Sequence, residues 1–262
     1  RLSYHDNISW TAMIASFSRH GYFRDALLCF FHMQNECIIP DNITLVCIVD
    51  ACAGLKDAKD GLLVHAAVID SDHAEDGMLG NALLNMYIKC GLLSKACVLF
   101  DSLSVHNVVS WTTLISGYTD NGHGEEALKC FEQMQMEGIF PDVFTFACSF
   151  KACASVGAVR KGEEIHVTLG EKGLERDIFL CNALIDMYTK CGSIEDAKRV
   201  FDMLQNRDVV SWGAIIAGYA VHGPIHHAFS LFYDMQKAGV QPCKVTFLSI
   251  LKACVTGAVV KN

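Results

Sequence analysis

The chain repeats itself every 101 residues, and this period restricts its possible folds more than any other feature. Trp10, Trp111 and Trp212 are 101 residues apart, and each follows a serine. The run that begins at Asn182 has the same apolar pattern as the run that begins at Asn81. A fixed internal period indicates a repeat architecture rather than an irregular globule.

Each period divides into segments of 35, 35 and 31 residues. In the segment 108–142, apolar residues at helical spacing run from Trp111 to Tyr118 and again from Ala127 to Met134, with a turn at Asn121-Gly122. Neither helix can bury its apolar stripe alone, so neighbouring segments must stack. We predict an all-α fold, a right-handed α-solenoid of helix–turn–helix repeats. The predicted units are a tail at 1–6, complete units at 7–41, 42–76, 77–107, 108–142, 143–177, 178–208 and 209–243, and a partial unit at 244–262.

Composition argues against several classes of protein. No apolar run reaches the roughly 20 residues that span a bilayer. No signal-peptide pattern is present, and because residues 1–6 resemble the end of a repeat, we expect a piece of a longer protein. The 13 cysteines include no C-x-x-C pair, and Cys52, Cys153 and Cys254 recur at the 101-residue period. We predict small, buried, reduced thiols rather than disulfides or zinc ligands.

Catalytic motifs are missing from the sequence. Residues 122–127 loosely match a dinucleotide-binding string, but they join two predicted helices with no preceding strand. His226 and His227 lack partners at metal-ligand spacing. We therefore predict that the chain is not an enzyme and uses neither a cofactor nor a metal ion.

The repeats resemble a known family. Units of 35 residues end in Met-x-x-x-Gly-(Ile/Val)-x-Pro-Asp, as in Met134–Asp142, and characteristic phrases occur at 109–118, 151–154 and 182–192. These features resemble pentatricopeptide repeats, and the 35/35/31 alternation is similar to the P, L and S units of the plant PLS class. Tetratricopeptide repeats also pair helices, but they are about 34 residues long and lack a shorter third unit. The resemblance implies P units at 7–41, 108–142 and 209–243, L units at 42–76, 143–177 and 244–262, and S units at 77–107 and 178–208.

The resemblance also implies that single-stranded RNA is bound at about one base per repeat. In this family the fifth and last residues of a repeat read the base. The pairs here are Thr11/Asp41, Asn81/Asn107, Thr112/Asp142 and Asn182/Asp208. A carboxylate only accepts hydrogen bonds, so a last Asp suits guanine and uracil, which present a ring N–H. Asn can donate, which suits adenine and cytosine, and the family pattern pairs a fifth Thr with purines and a fifth Asn with pyrimidines. Thr/Asp thus implies G, Asn/Asp implies U, and Asn/Asn implies C with U tolerated.

Other units depart from this pattern. The L pairs Val46/Asp76 and Ala147/Asp177 have an apolar fifth residue, so we interpret these units as spacers or weak readers. Gly213/Cys243 leaves its base unassigned. For each polar residue the alternative is a helix N-cap or a solvated helix position. Recurrence in register favours base recognition.

Two further sets of residues complete the expected interface. The second residues of repeats are expected to sandwich the bases, with ordinary packing between repeats as the alternative: Ile8, Met78, Val109, Phe179 and Val210. Cations at the thirteenth position are expected beside the phosphates: Arg19, Lys89 and Lys190. The net charge of −8 argues against nucleic acid when taken alone. The resemblance, however, places acidic residues such as Glu125 and Glu126 on the outer face.

By resemblance, the chain is the target-recognition part of an organellar C-to-U RNA editing factor, a class in which a deaminase-like domain follows the array. The expected partners are single-stranded organellar RNA and editing cofactor proteins, with no membrane and no small-molecule substrate. The expected location is the mitochondrion or the chloroplast. Two alternatives stay open: an organellar RNA stabilisation or translation factor without editing, and a protein-binding helical-repeat scaffold.

Overall fold

A computed structural model describes residues 6–69 and 77–259 of the chain, and all regular structure within these ranges is helical. The helices are α1 Asn7–Arg19, α2 Phe23–Asn35, α3 Asn42–Leu55, α4 Ala58–Ile69, α5 Gly77–Lys89, α6 Leu93–Ser102, α7 Val108–Asp120, α8 Gly124–Met136, α9 Val143–Val156, α10 Val159–Glu171, α11 Ile178–Lys190, α12 Ile194–Met203, α13 Val209–His222, α14 Ile225–Lys237 and α15 Lys244–Val259. The prediction of an all-α fold is confirmed.

The helices alternate in a regular way along the chain. Every odd-numbered helix begins at the first residue of a predicted unit, from Asn7 in α1 to Lys244 in α15. The turn before α12 contains Gly192 at a φ of 81°, a region that glycine enters without steric cost. The division into P, L and S units stays a prediction. Most of the predicted tail at 1–6, and residues 70–76 with Asp76, lie outside the described residues.

The first of two compact units comprises Arg1–Asn121. Its odd-numbered helices α1, α3, α5 and α7 contact one another in succession. Each even-numbered helix packs on the first helix of its own hairpin and on that of the next hairpin. The result is two layers of helices, with Ile14, Ile48 and Leu84 fully buried.

The second compact unit, Gly122–Asn262, repeats this arrangement. Helices α9, α11, α13 and α15 form one row, and the even-numbered helices from α8 to α14 pack against it. Phe146, Ile185 and Ile216 are fully buried here. Stacked helix–turn–helix hairpins of this kind are the predicted α-solenoid arrangement. No helix in the described ranges is long and apolar enough to cross a membrane.

The cysteines only partly follow the prediction. Cys52, Cys153 and Cys181 are buried, Cys37 and Cys254 are exposed, and the other eight lie between these extremes. The expectation of burial was therefore wrong for Cys37 and Cys254, although it matches Cys52 and Cys153 in the 101-residue period. Helix α4 packs on α3, and α10 on α9, whereas α15 is the last helix described.

Candidate nucleic-acid interface

In five of the predicted units, the last residue caps the helix that opens the next unit. Oδ1 of Asp41 accepts hydrogen bonds from N and Oγ1 of Thr44, both at 2.8 Å. Oδ1 of Asp208 accepts from N and Oγ of Ser211 at 2.8 and 2.9 Å. The same role is taken for α7, α9 and α11 by Asn107, Asp142 and Asp177. These residues are thus N-caps, the alternative weighed from the sequence.

Capping does not use up the carboxylates. The capping hydrogen bonds of the four aspartates, Asp41, Asp142, Asp177 and Asp208, all end on Oδ1. A carboxylate offers two oxygens with about four acceptor sites in all. On Asp41, for example, Oδ2 lies 3.4 Å from Nδ2 of Asn7. Capping and base recognition can therefore use different oxygens of one side chain.

In the first compact unit, Thr11 and Asp41 are linked through Thr44. Oγ1 of Thr11 lies 2.5 Å from Oγ1 of the fully buried Thr44. The Thr44 hydroxyl in turn donates to Asp41 Oδ1 at 2.8 Å. One hydrogen-bonded network thus holds a fifth residue and a last residue that are distant in sequence.

In the second compact unit, Asn182 and Asp208 are in direct contact. Nδ2 of Asn182 lies 3.3 Å from Oδ1 and 3.4 Å from Oδ2 of Asp208. Oδ1 of Asn182 is buried without a hydrogen-bond partner among the described atoms. Burial opposes ionisation of Asp208, but hydrogen bonds from Ser211, Asn182 and Val210 outweigh it and hold the pKa of this carboxyl below its usual range. Asp208 is therefore an ionised, accept-only group at neutral pH.

A pocket of about 650 Å³ surrounds this pair. It brings together second, fifth and last residues that belong to successive predicted units. Those lining it are Phe179, Val210, Val245, Asn182, Asp208, Gly213 and Cys243. The cavity thus combines apolar walls with a small set of polar groups, a composition typical of ligand sites.

The second residues of the units are exposed apolar side chains. The five predicted ones are 50–76% exposed: Ile8, Met78, Val109, Phe179 and Val210. The L units supply three more at 58–66%, which the sequence interpretation missed: Ile43, Phe144 and Val245. The rings of Phe144 and Phe179 make an edge contact at 6.2 Å between centroids. These side chains thus present accessible apolar faces, although Phe144 and Phe179 also touch across neighbouring units. The second position itself was the signal that could have identified the L-unit residues.

The remaining predicted readers are placed as follows. Asn81 is partly exposed on α5, and Asn107 is exposed at the start of α7. Thr112 is partly exposed on α7 of the first unit, and Asp142 is exposed at the start of α9 in the second.

The three predicted phosphate ligands end first helices. Arg19, Lys89 and Lys190 are the last residues of α1, α5 and α11, and all are exposed. Nζ of Lys190 lies 2.6 Å from Oδ2 of Asp186, which also lines the pocket. A phosphate at Lys190 would therefore compete with this carboxylate.

The Gly213/Cys243 pair offers different chemistry in the same cavity. A Cβ added to Gly213 would have Thr246 Oγ1 as its nearest neighbour at 3.9 Å, so a side chain has room there. Sγ of Cys243 lies 3.4 Å from Thr246 Oγ1. Hydrogen bonds with Thr246 lower the pKa of the Cys243 thiol. A polarised thiol thus stands where other units carry a carboxylate or an amide.

Metal-binding clusters of His, Cys, Asp or Glu do not occur within the described parts of the chain.

Family models match most of the chain. A model of the PPR repeat family matches residues 106–155 and 207–256, and a PPR repeat model matches residues 8–38, 81–108 and 179–209. Together they cover more than half of the sequence. The matched segments are repeats and not a catalytic domain.

Curated relatives from Arabidopsis thaliana carry the same repeats. One pentatricopeptide repeat-containing protein is 37% identical over 95% of this chain and 25% of its own length. A chloroplastic relative is 36% identical over 95% of this chain and 40% of its own length. A mitochondrial relative is 34% identical over 95% of this chain and 30% of its own length. The chain thus spans less than half the length of these relatives.

Solved structures share the fold. The pentatricopeptide repeat protein PPR10 in complex with an 18-nt psaJ RNA element is 20% identical, with a TM-score of 0.82 over 95% of this chain and 38% of that chain. A crystal structure of PPR10 from maize gives a TM-score of 0.56 at 18% identity, over 95% and 42%. The repeat period, the stacked helical hairpins and the matching family models lead to one conclusion: the chain belongs to the pentatricopeptide repeat family.

Proposed function

We propose that the chain binds single-stranded RNA sequence-specifically, at about one base per repeat. The observation that carries this proposal is the pocket in which the ionised Asp208 contacts Asn182 between the exposed side chains of Phe179 and Val210. Apolar side chains can stack on the faces of a base while polar groups address its edge. PPR10, which shares the fold, is described in complex with RNA.

The chemistry of the pairs supports the base assignments. A carboxylate kept ionised accepts from the ring N–H of uracil or guanine but rejects the ring acceptors of cytosine and adenine. The preferred RNA therefore contains 5′-G-n-C/U-G-n-U-3′, read from Thr11/Asp41 through Asn81/Asn107 and Thr112/Asp142 to Asn182/Asp208. The exposed second residues sandwich these bases.

The L units hold a base without reading it. Ile43, Phe144 and Val245 are as exposed as the second residues of the P and S units. The fifth residues Val46 and Ala147 cannot form a hydrogen bond through their side chains. An L unit therefore stacks on any base and keeps the register of the strand.

We further propose a PLS array that forms the target-recognition part of an organellar C-to-U editing factor. The alternation of 35, 35 and 31 residues supports the class, and the chloroplastic and mitochondrial labels of relatives support an organellar location. Transcript sequencing in plants lacking the gene tests this role: loss of conversion at a defined cytidine is expected. Altered transcript level or translation with conversion intact would instead identify a stabilisation or translation factor.

One substitution tests base recognition itself. Thr112→Asn with Asp142 unchanged keeps the acceptor and reduces the space for a purine, so the preference at the fourth base should move from G towards U. Thr113→Asn makes the same chemical change one residue further along α7 and serves as control. Binding titrations with all four bases at that position measure the preference, and a good base contact is worth about 1–3 kcal/mol. A Thr112→Asn chain that still prefers G would contradict the proposal, and no RNA binding at all would favour the protein scaffold.

A further inference from the structure

We propose that His106 and Arg207 are positioning residues that hold the last residue of each S unit in its base-reading place. The inference rests on the proposed RNA-binding function. Each side chain directly precedes a residue of a reading pair, Asn107 or Asp208. Neither has a role in the base or phosphate contacts proposed above.

Arg207 is seated on two aromatic rings at the junction of α12 and α13. Its Cζ lies 4.5 Å from the ring centroid of Phe201 and 5.9 Å from that of Trp212. Nε donates to the carbonyl of Phe201 at 3.1 Å, and Nη2 to that of Asp202 at 3.3 Å. Both carbonyls belong to the last turn of α12, where a cation also interacts favourably with the helix dipole. The backbone just before Asp208 is thereby tied to the preceding helix.

His106 does the same at the junction of α6 and α7. Its ring stacks on that of Phe100, with centroids 4.2 Å apart and an interplanar angle of 12°. Trp111 contacts the imidazole ring edge-on at 5.7 Å. Nε2 of His106 lies 3.0 Å from the carbonyl oxygen of Phe100, and so donates to it in the Nε2–H form. At two junctions 101 residues apart, a phenylalanine and a tryptophan thus contact the same position in the repeat, which holds a different planar side chain in each case.

The P units restrain the equivalent position by other means. A proline precedes each last residue, in the pairs Pro40–Asp41, Pro141–Asp142 and Pro242–Cys243. The pyrrolidine ring fixes the φ of the proline itself near −65° and so limits the backbone paths that lead into the reader. The S units have no proline at this position, and the stacked side chain supplies a restraint in its place.

Accurate placement matters because hydrogen bonds weaken steeply with poor distance and angle. If the stack were lost, Asp208 could still cap α13 through Oδ1 while its second oxygen shifted relative to the base. The expected consequence is reduced discrimination between bases at one position, with little change in the rest of the array.

The test uses the full chain and two kinds of substitution. Arg207→Ala and Arg207→Lys remove the planar group, and Arg207→Lys keeps the charge. Both should lower the preference for U at the sixth base about tenfold, the scale of a lost base contact. Arg207→His, which copies the other junction, should retain it. His106→Ala and His106→Arg should behave in the same two ways at the third base.

Titrations with all four bases at the third, fourth and sixth positions are measured beside melting temperatures. A loss confined to the base beside the altered residue supports the proposal. Equal weakening of every RNA would assign Arg207 to a phosphate contact, and a lower melting temperature with unchanged discrimination would show a merely structural role. Either result overturns the inference while leaving RNA binding intact. If the unaltered chain shows no base preference, the proposed function fails and the inference fails with it.

Discussion

The side-chain amide of Asn182 lies within 3.3–3.4 Å of both carboxylate oxygens of Asp208, and one of these oxygens also caps α13. A single side chain therefore begins a helix and forms half of a reading pair. The cap needs only a short side-chain oxygen, whereas the reading pair depends on whether the group accepts or donates a hydrogen bond. Substitutions can therefore separate the two roles.

Asp208→Asn should change recognition without changing the fold. Asn and Asp are equally good N-caps, since both present a side-chain oxygen to the first turn. The amide, however, donates where the carboxylate accepted, so the preferred sixth base should move from U towards C. Asp177→Asn makes the same change beside Ala147, where no base should be read, and should leave all preferences unaltered. A chain with Asp208→Asn that retains its preference for U would refute the acceptor role of Asp208.

Acid should remove a specific contribution of Asp208 to stability. Its pKa is lower in the folded chain than in the unfolded chain because hydrogen bonds to the anion outweigh burial. The stabilisation is therefore present above the unfolded value of about 3.9 and is lost as pH falls through the lower folded value. Urea midpoints of the unaltered chain and of Asp208→Asn, measured from pH 7 to pH 2, should differ most above about pH 4 and converge as the pH falls below it. A constant difference would contradict the prediction.

A new base reader can be built at the third P unit. Gly213→Thr with Cys243→Asp recreates the Thr/Asp pair, and the space at Gly213 admits the side chain. Thr246 lies at the place that Thr44 occupies beside Thr11, so the new hydroxyl has a partner. We expect a preference of about tenfold for G at the seventh base, on the scale of a good base contact. Cys243→Asp alone is the matched control and should prefer G less strongly. Equal binding of all four bases by the double variant would contradict the prediction.

Gly162→Ala should destabilise the second unit. A Cβ at this position in α10 would lie 2.6 Å from Sδ and Cε of Met187, so that side chain must move. Overpacking costs about 1–3 kcal/mol, against a gain of about 1 kcal/mol from replacing glycine in a helix. The free energy of unfolding, from urea titration, should fall by up to about 2 kcal/mol. Gly61→Ala should cost less because Met86 Sδ is 3.2 Å away. Gly170→Ala, near the flexible end of Glu175, should cost nothing; a similar loss there would point to a general effect.

Removing the three cations that end α1, α5 and α11 should weaken the binding of every RNA to the same extent. Arg19, Lys89 and Lys190 would each displace about 0.7 counterions on a single strand, giving a log–log salt slope of roughly −2. Replacing all three by Ala should flatten the slope and leave base preferences intact. Lys190 should contribute least, because Asp186 already binds its ammonium group. An unchanged slope would exclude these residues as phosphate ligands.

Local patterns were sufficient to predict the helices. Each repeat unit carries two apolar stripes with a glycine between them. The stripes depend only on residues three and four apart in the sequence, so they predict two successive helices and the turn that joins them. The same range of reasoning could have found the ion pair of Lys190 with Asp186, which are one turn apart on α11. It could also have found the capping pattern in which Asp or Asn is followed three residues later by Thr or Ser.

Contacts between helices were beyond such patterns. Phe201 and Trp212 lie within six residues of Arg207, but they belong to different helices, so helical periodicity does not show that the guanidinium rests on both rings. That contact forms only when α12 packs on α13. The exposure of Phe144 likewise depends on the helices around it. Periodicity alone takes an apolar residue on a helix for core, whereas its place as the second residue of a unit could have marked Phe144 as exposed; the packed structure shows that it is.

The double use of the capping position also restricts how such a chain can acquire new targets. A short side-chain acceptor at the capping position favours the start of a helix, and few amino acids supply one well. Exchange between Asp and Asn satisfies the helix equally in both directions while reversing the hydrogen-bonding sense offered to a base. Changes of preferred sequence along this route keep the cap and lose only the contribution of the ionised carboxylate, whereas Ala or Leu at the same place would weaken the start of the next hairpin. The need to start a helix thus narrows the set of amino acids that can read a base from the last position of a repeat.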